Sequence, residues 1–318
     1  MKQNSFELKH REIWTEMEKI LVHGDVEVDS EFPENFRKLC HHLAIAKQRR
    51  YSPQLIDYLN GLVTKAHHFF YQDNSRNHLQ WLNFLFFVFP EAIRRNRHFV
   101  YVSALLFILP LIAMGIACFL NAEFIFSIMN YHDVMKMESM YNPANDKIGR
   151  ERGAETDIMM FGFYIENNIG IAFRTFAGGI LFGVGSVFFL IFNGLYIGAV
   201  AGHLTQIGYT DTFYSFIIGH GAFELTAIVF AGAAGLKLGY ALIRPGQLKL
   251  THALRQAGRD AIVIMFGTAL MLLIAAFIEA FWSSTVIIAP AIKYLVGMFL
   301  AVTLIVYFVY CGKPNGSR

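Results

Sequence analysis

The chain has 318 residues, 55% of them hydrophobic and only 16% charged, where a soluble domain carries about 25% charged residues. The formal net charge of +3 says little by itself. The basic residues cluster beside apolar segments, which marks topology and anionic-lipid contact rather than a nucleic-acid site. Charge is ordinary over residues 1–97 and almost absent from long stretches after Phe99, the pattern of an integral membrane protein with a polar N-terminal domain.

The N-terminus has no apolar core of signal-peptide type, so no cleaved export signal is expected. Cys40, Cys118 and Cys311 show no paired spacing and suggest neither a disulfide nor a zinc ribbon. In "LKHREIWTEMEKILVH", Leu8, Ile13, Trp14, Met17, Ile20 and Leu21 recur at helical spacing. A second helix is expected over "FPENFRKLCHHLAIAKQRR". A third begins with Ser52 as N-cap and Pro53 at the first helical position. The His-bearing groups Cys40-His41-His42 and His67-His68 fit amphipathic helices better than a metal site. The aromatic segment "HLQWLNFLFFVFPEAIRRN" ends in Arg94, Arg95 and Arg97 and reads as an interfacial helix leading into the bilayer.

Residues 99–120 form the first apolar span. A polar loop with an amphipathic "VMKMESMY" stretch covers 121–160, and apolar blocks follow near 161–182, 183–204, 213–236, 261–282 and 289–311. The block 161–204 would be roughly 66 Å long as one helix, twice the hydrocarbon thickness of roughly 30 Å. It is therefore two crossings, or one crossing and a re-entrant half-helix, with Gly183 and Gly185 offering the turn. Arg94, Arg95 and Arg97 assign the N-terminal domain to the cytoplasm, and Lys237, Arg244, Lys249, Arg255 and Arg259 assign loop 237–260 to the same side. Six segments satisfy both regions. The expected fold is thus an all-α, polytopic helical membrane bundle with five or six membrane segments. Residues 1–97 form a cytoplasmic helical domain, 98–311 the membrane domain and 312–318 a short cytoplasmic tail. The four-residue glycine spacings at Gly179/Gly183, Gly194/Gly198/Gly202 and Gly235/Gly239 predict close helix packing, within the chain or at a homodimer seam.

Several polar groups fall at membrane depth. His220 and Glu224 share a helix face, about 10 and 16 Å below the outer surface at 1.5 Å per residue. Asn193 lies near mid-depth on the preceding span. Glu279, Glu166, Asn167, Asn168 and His203 lie toward the outer ends of theirs. An ionisable side chain in a membrane helix costs about 2.5–3.5 kcal/mol on insertion scales, so such groups pair or face a water-filled cavity. The alternatives are a hydrogen-bonded cluster that joins helices, an outward-facing pocket for a proton, ion, metal or lipid head group, and a catalytic site. The pocket candidates are Asn167, Asn168, Asn193, His220, Glu224 and Glu279. His203, His220, Glu224 and Glu279 have the ligand chemistry of zinc, although "HGAFE" is not the HExxH signature. No cofactor is strongly implied.

The segments "NNIGIAFRTFAGGILFG", "FNGLYIGAVAGHL", "GHGAFELTAIVFAGAAGL" and "LLIAAFIEAFWSS" resemble the stage II sporulation protein M family of bacterial and archaeal membrane proteins, over about residues 90–310. The positions here that carry the family pattern are Asn168, Asn193, Gly194, His220, Gly221, Glu224, Leu225 and Glu279. The resemblance implies a membrane component of cell-envelope assembly or remodelling, working with peptidoglycan-remodelling partners. The long helical N-terminal extension departs from the named member of that family. The leading expectation is a non-enzymatic, multi-pass inner-membrane protein with both termini cytoplasmic and a polar outward pocket. The alternatives are an ion or small-solute transporter or channel using His220 and Glu224, and a metal-dependent membrane hydrolase.

Overall fold

The computed structural model describes residues 3–23, 32–71, 77–145, 148–149 and 156–312. Among these residues the secondary structure is helical, with no β-strand. The chain divides into two compact units, Met1–Leu82 and Asn83–Arg318.

The first unit is built on α1 (Gln3–His23), α2 (Phe32–Gln48) and α3 (Pro53–Tyr71). Their apolar stripes meet in a core of Phe6, Trp14, Met17, Phe32, Leu39, Leu43, Leu55, Leu59 and Leu62. Ser52 caps α3, its Oγ accepting from Leu55 N at 3.4 Å, and Gln3 clamps Ser52 from α1 through two further hydrogen bonds. His42 is buried, and its Nδ1 accepts the Trp14 indole proton at 3.1 Å. His42 therefore packs as a core histidine, and Cys40, His41 and His42 form no metal-ligating group among the described residues. His67 is exposed, and the side chain of His68 lies outside the described residues.

The boundary at Leu82/Asn83 falls earlier than the expected 97. After α4 (Asn77–Asn83), the π-helical turn Phe84–Val88 and α5 (Phe89–Arg95) pack into the second unit. The physical reason is Phe89. Its ring meets those of Phe230 and Phe308 edge-on and covers Gly267, where a Cβ would lie 2.3 Å from it. Tyr307 donates to Leu85 O, and Arg94 Nη1 to Phe308 O.

Among the described residues of this unit, five helices are long and apolar enough to cross a membrane. They are α6 (Arg97–Leu120), α9 (Val184–Gln206), α10 (Thr210–Ile243), α11 (Leu250–Ile278, continued by a π-helical turn to Ser283) and α12 (Pro290–Tyr310). Large apolar side chains stand exposed along the outside, among them Leu105, Leu109 and Ile116 on α6 and Leu295, Phe299 and Ile305 on α12. Such a continuous apolar surface suits lipid rather than water. α10 is the central element, with Ala231, Gly232, Ala233, Ala234 and Gly235 all buried.

The helices α6 and α9 run parallel. A Cβ on Gly194, Gly198 or Gly202 would lie 2.2–2.3 Å from the carbonyl oxygens of Phe107, Leu111 and Gly115 in turn. Small residues here let the two backbones touch, which is how helices associate in lipid. Gly179 abuts Gly235, and Gly239 abuts Gly183. These glycine faces are thus all occupied within the chain.

Parallel neighbours require a return path, and α8 (Asp157–Ala177) supplies it. At its start Phe161 packs on Phe277 and Phe281, at the end of α11. Beyond its other end Gly179 meets Gly235, two residues before Lys237. Its 21 residues span about 31 Å. The block 161–182 therefore makes a full passage through the bundle rather than a half-helix. Glu166, Asn167, Asn168 and Arg174 set it apart from the five apolar spans. The reversal into α9 uses Phe182 (φ 53°) and Gly183 (φ 82°), with Gly178 and Gly185 in backbone contact.

Two expected loops are more ordered than their polarity suggests. Helix continues through most of 237–260, and only residues 244–249 connect α10 to α11. Hydropathy marks the part of a helix that suits hydrocarbon, and these helices extend beyond it. There Lys237 pairs with Asp260 and donates to Asn96 Oδ1 at 2.6 Å, and Arg95 also pairs with Asp260. This basic end gathers Arg94, Arg95, Lys237 and the α10–α11 connection. At the opposite, distal end, the polar loop contains α7 (Tyr131–Tyr141), which buries Val134 and Met137.

Candidate functional site

In the distal half of the bundle, three ionisable side chains meet. His220 and Glu224 project from adjacent turns of α10, and Glu279 opens the π-helical turn Glu279–Ser283 that ends α11. One ligand-type atom from each of the three lies within 4.8 Å of the others. His220 is buried, Glu279 is 8% exposed and the Glu224 side chain is 20% exposed. The π-turn matters because its wider winding changes which residues share a face, and such turns are frequent at functional sites.

His220 is held on three sides. Its Nδ1 lies 3.1 Å from Ser283 Oγ, its ring packs edge-on against Phe216, and Nε2 points toward Glu224 Oε2 at 3.7 Å. Gly219 permits this approach, since a Cβ there would lie 2.5 Å from the Trp282 ring. Behind Ser283, Lys293 of α12 is 1% exposed and donates to Ser283 O at 2.8 Å and Thr285 O at 2.6 Å. The lysine thus satisfies carbonyls freed at the end of the π-turn and fixes the segment that carries Ser283.

From α8, Asn168 is 4% exposed and approaches Glu279, yet its Nδ2 closes no hydrogen bond, and neither does Glu279 Oε2. Asn167 is exposed and donates to Asn168 Oδ1 at 3.1 Å. Glu166 is exposed on the same helix. Over the site, Tyr141 of α7 packs against Phe216. Burial pushes its hydroxyl pKa well up, and the nearby Glu279 and Glu224 charges push it further in the same direction.

Not every expected residue joins the group. Asn193 donates to Phe189 O of its own helix at 2.7 Å. An amide on a helix always has the i−4 carbonyl within reach, and here that acceptor wins. His203 stands apart from the other three metal candidates, with Nε2 2.7 Å from Glu138 Oε1 of α7. The sequence reading missed Glu138, Tyr141, Ser283 and Lys293. Ser and Lys near a helix end carry no distinctive pattern, and a π-turn is invisible to 3.6-residue periodicity. The family-pattern residue Leu225 packs against the main apolar core rather than forming part of the polar site.

The family model described as stage II sporulation protein M matches residues 102–284, which include α8, α10 and the π-turn. A domain of unknown function (DUF8413) matches residues 4–72, the three helices of the first unit. An uncharacterized protein of Methanocaldococcus jannaschii is 29% identical over 126 residues, covering 38% of this chain and 69% of that protein. No solved structure matches the chain.

Proposed function

The chain belongs to the stage II sporulation protein M family, and on that premise we propose that it is a multi-pass inner-membrane component of a cell-envelope assembly or remodelling complex. It acts without catalysing a reaction itself. The basic end carries Arg94, Arg95, Arg97, Lys237, Arg244 and Lys249 and faces the cytoplasm by the positive-inside rule, together with both termini. The first unit, Met1–Leu82, forms the cytoplasmic domain. The distal half, with its polar site, then faces outward, where peptidoglycan-remodelling partners act. A second copy of the chain is a further partner, and it would meet surfaces other than the glycine faces, which are filled by the chain's own helices.

The observation that carries the proposal is the meeting of the family-pattern residues His220, Glu224 and Glu279 at one buried place within the matched region. Apolar side chains would pack those helices at lower cost, so a purely structural role leaves three ionisable groups at membrane depth without a purpose. Complementation tests it. Cells lacking the protein should become sensitive to wall-targeting antibiotics, wild type should restore resistance, and Glu279→Gln at equal membrane abundance should not. Full rescue by that variant refutes a role for the site.

A second reading, an ion or small-solute transporter, has one observation in its favour. Glu224 is partly exposed while His220 and Glu279 beside it are buried, an arrangement that gives an inward-leading proton or ion step. Proton-coupled flux in liposomes, absent in Glu224→Gln, would establish it.

A further inference from the structure

We propose that His220, Glu224 and Glu279 bind one divalent first-row transition cation of the zinc class, which joins α10 to the π-turn at the end of α11. The 3.7 Å between His220 Nε2 and Glu224 Oε2 is too long for a hydrogen bond. Two ligands about 2.0–2.1 Å from a tetrahedral ion stand about 3.3–3.4 Å apart, so a small closure brings both onto one ion. The Glu279 carboxylate is already within the same 4.8 Å group.

Charge makes the same argument. Two carboxylates this close in a low-dielectric setting repel each other. A dication with two carboxylates and one imidazole is neutral overall, the form that membrane depth tolerates best. One imidazole with two carboxylates suits zinc or manganese better than a softer or an all-oxygen ion.

Two further features point to a ligand. Glu279 Oε2 and Asn168 Nδ2 are both buried beside the cluster, and although the two side chains approach each other neither atom closes a hydrogen bond. A cation takes the first as a ligand. A water or hydroxide on that cation accepts from the second. The imidazole is also prepared as ligating histidines usually are. Nδ1 is engaged with Ser283 Oγ at 3.1 Å, and in the tautomer that donates Nδ1–H to that oxygen Nε2 keeps its lone pair toward Glu224. Lys293 holds the Ser283 backbone in place. Binding displaces any protons the carboxylates carry, one for each carboxylic acid ionised.

The inference rests on the reading of these residues as one site, but its test involves no partner protein. Purified full-length protein in detergent is stripped with a chelator and titrated with cobalt(II), whose visible absorption reports inner-sphere ligands, and then with zinc as competitor. The expected result is one equivalent of cobalt with ligand-field bands that zinc abolishes. His220→Ala and Glu279→Gln should lose those bands, and Ser283→Ala, which touches no metal, should weaken binding about 10–100-fold. Folded wild-type protein that gives only the spectrum of aqueous cobalt overturns the proposal without any variant. So does a folded Glu279→Gln protein that binds as wild type. Failure here leaves the envelope role standing, and failure of complementation leaves the titration standing.

Discussion

Gly198→Ala is the sharpest perturbation of the bundle. The added Cβ would sit 2.2 Å from Leu111 O, where ordinary contacts begin at 3.4 Å, and the obstacle is backbone that no rotamer change can move. α6 and α9 must separate by roughly 1 Å along the contact, and overpacking of this kind costs about 1–3 kcal/mol. The separation also loosens the Gly194 and Gly202 approaches to Phe107 and Gly115, close backbone contacts worth about 0.5–1 kcal/mol each. The expected destabilisation is therefore about 2–5 kcal/mol, read from unfolding in mixed micelles with increasing dodecyl sulfate. Gly258→Ala is the control. Nothing lies within 4 Å of its Cβ position, so helix propensity should leave it neutral or stabilise it by up to about 1 kcal/mol. If Gly198→Ala falls within about 0.5 kcal/mol of Gly258→Ala, the parallel α6–α9 contact is wrong, because no smaller cost fits a Cβ driven into backbone.

Two other predictions concern the first unit and the topology. Burial, then the nearby His10, His41 and Lys38, lowers the pKa of His42 from 6.5 to about 4. The unfolded chain binds this proton more readily, so the stabilisation is complete above about pH 6.5 and is lost as pH falls toward about 4. Unfolding followed by Trp14 fluorescence, with Trp81 and Trp282 replaced, should show a loss of about 1–3 kcal/mol that His42→Gln flattens, and a pH-independent curve between 6.5 and 4 contradicts it. In a cysteine-free background, an impermeant thiol reagent applied to intact cells should label Asn145→Cys and spare Lys249→Cys. Labelling at 249 reverses the orientation.

The membrane class was legible in the sequence because hydrocarbon demands long apolar runs, and those runs survive any detail of packing. His220, Glu224 and Glu279 were legible for the opposite reason, since an ionisable residue stands out against an apolar background. Their company was less so. Asn193 looked equivalent to them by depth, but depth says nothing about azimuth, and its amide turned to Phe189 O. Ser283 and Lys293 support His220 from a π-turn and from the start of α12, and periodicity registers neither. The glycine spacing predicted close packing without identifying the partner. That α6 lies parallel against α9 depends on α8 returning the chain, which its Glu166 and Arg174 had made the least regular passage. Helix beyond the apolar blocks, at Lys237 and Asp260, was hidden for a similar reason, because polarity there reflects the interface rather than a loop.

The central claim is that α10 and the π-turn bring His220 and Glu279 together. A double-mutant cycle with His220→Gln and Glu279→Gln, read as unfolding free energy in the same micelles, tests it most directly. Residues sharing one site should show a coupling of about 0.5–3 kcal/mol. Effects that add to within about 0.3–0.5 kcal/mol would mean that the two side chains do not meet, and the site as described would not exist.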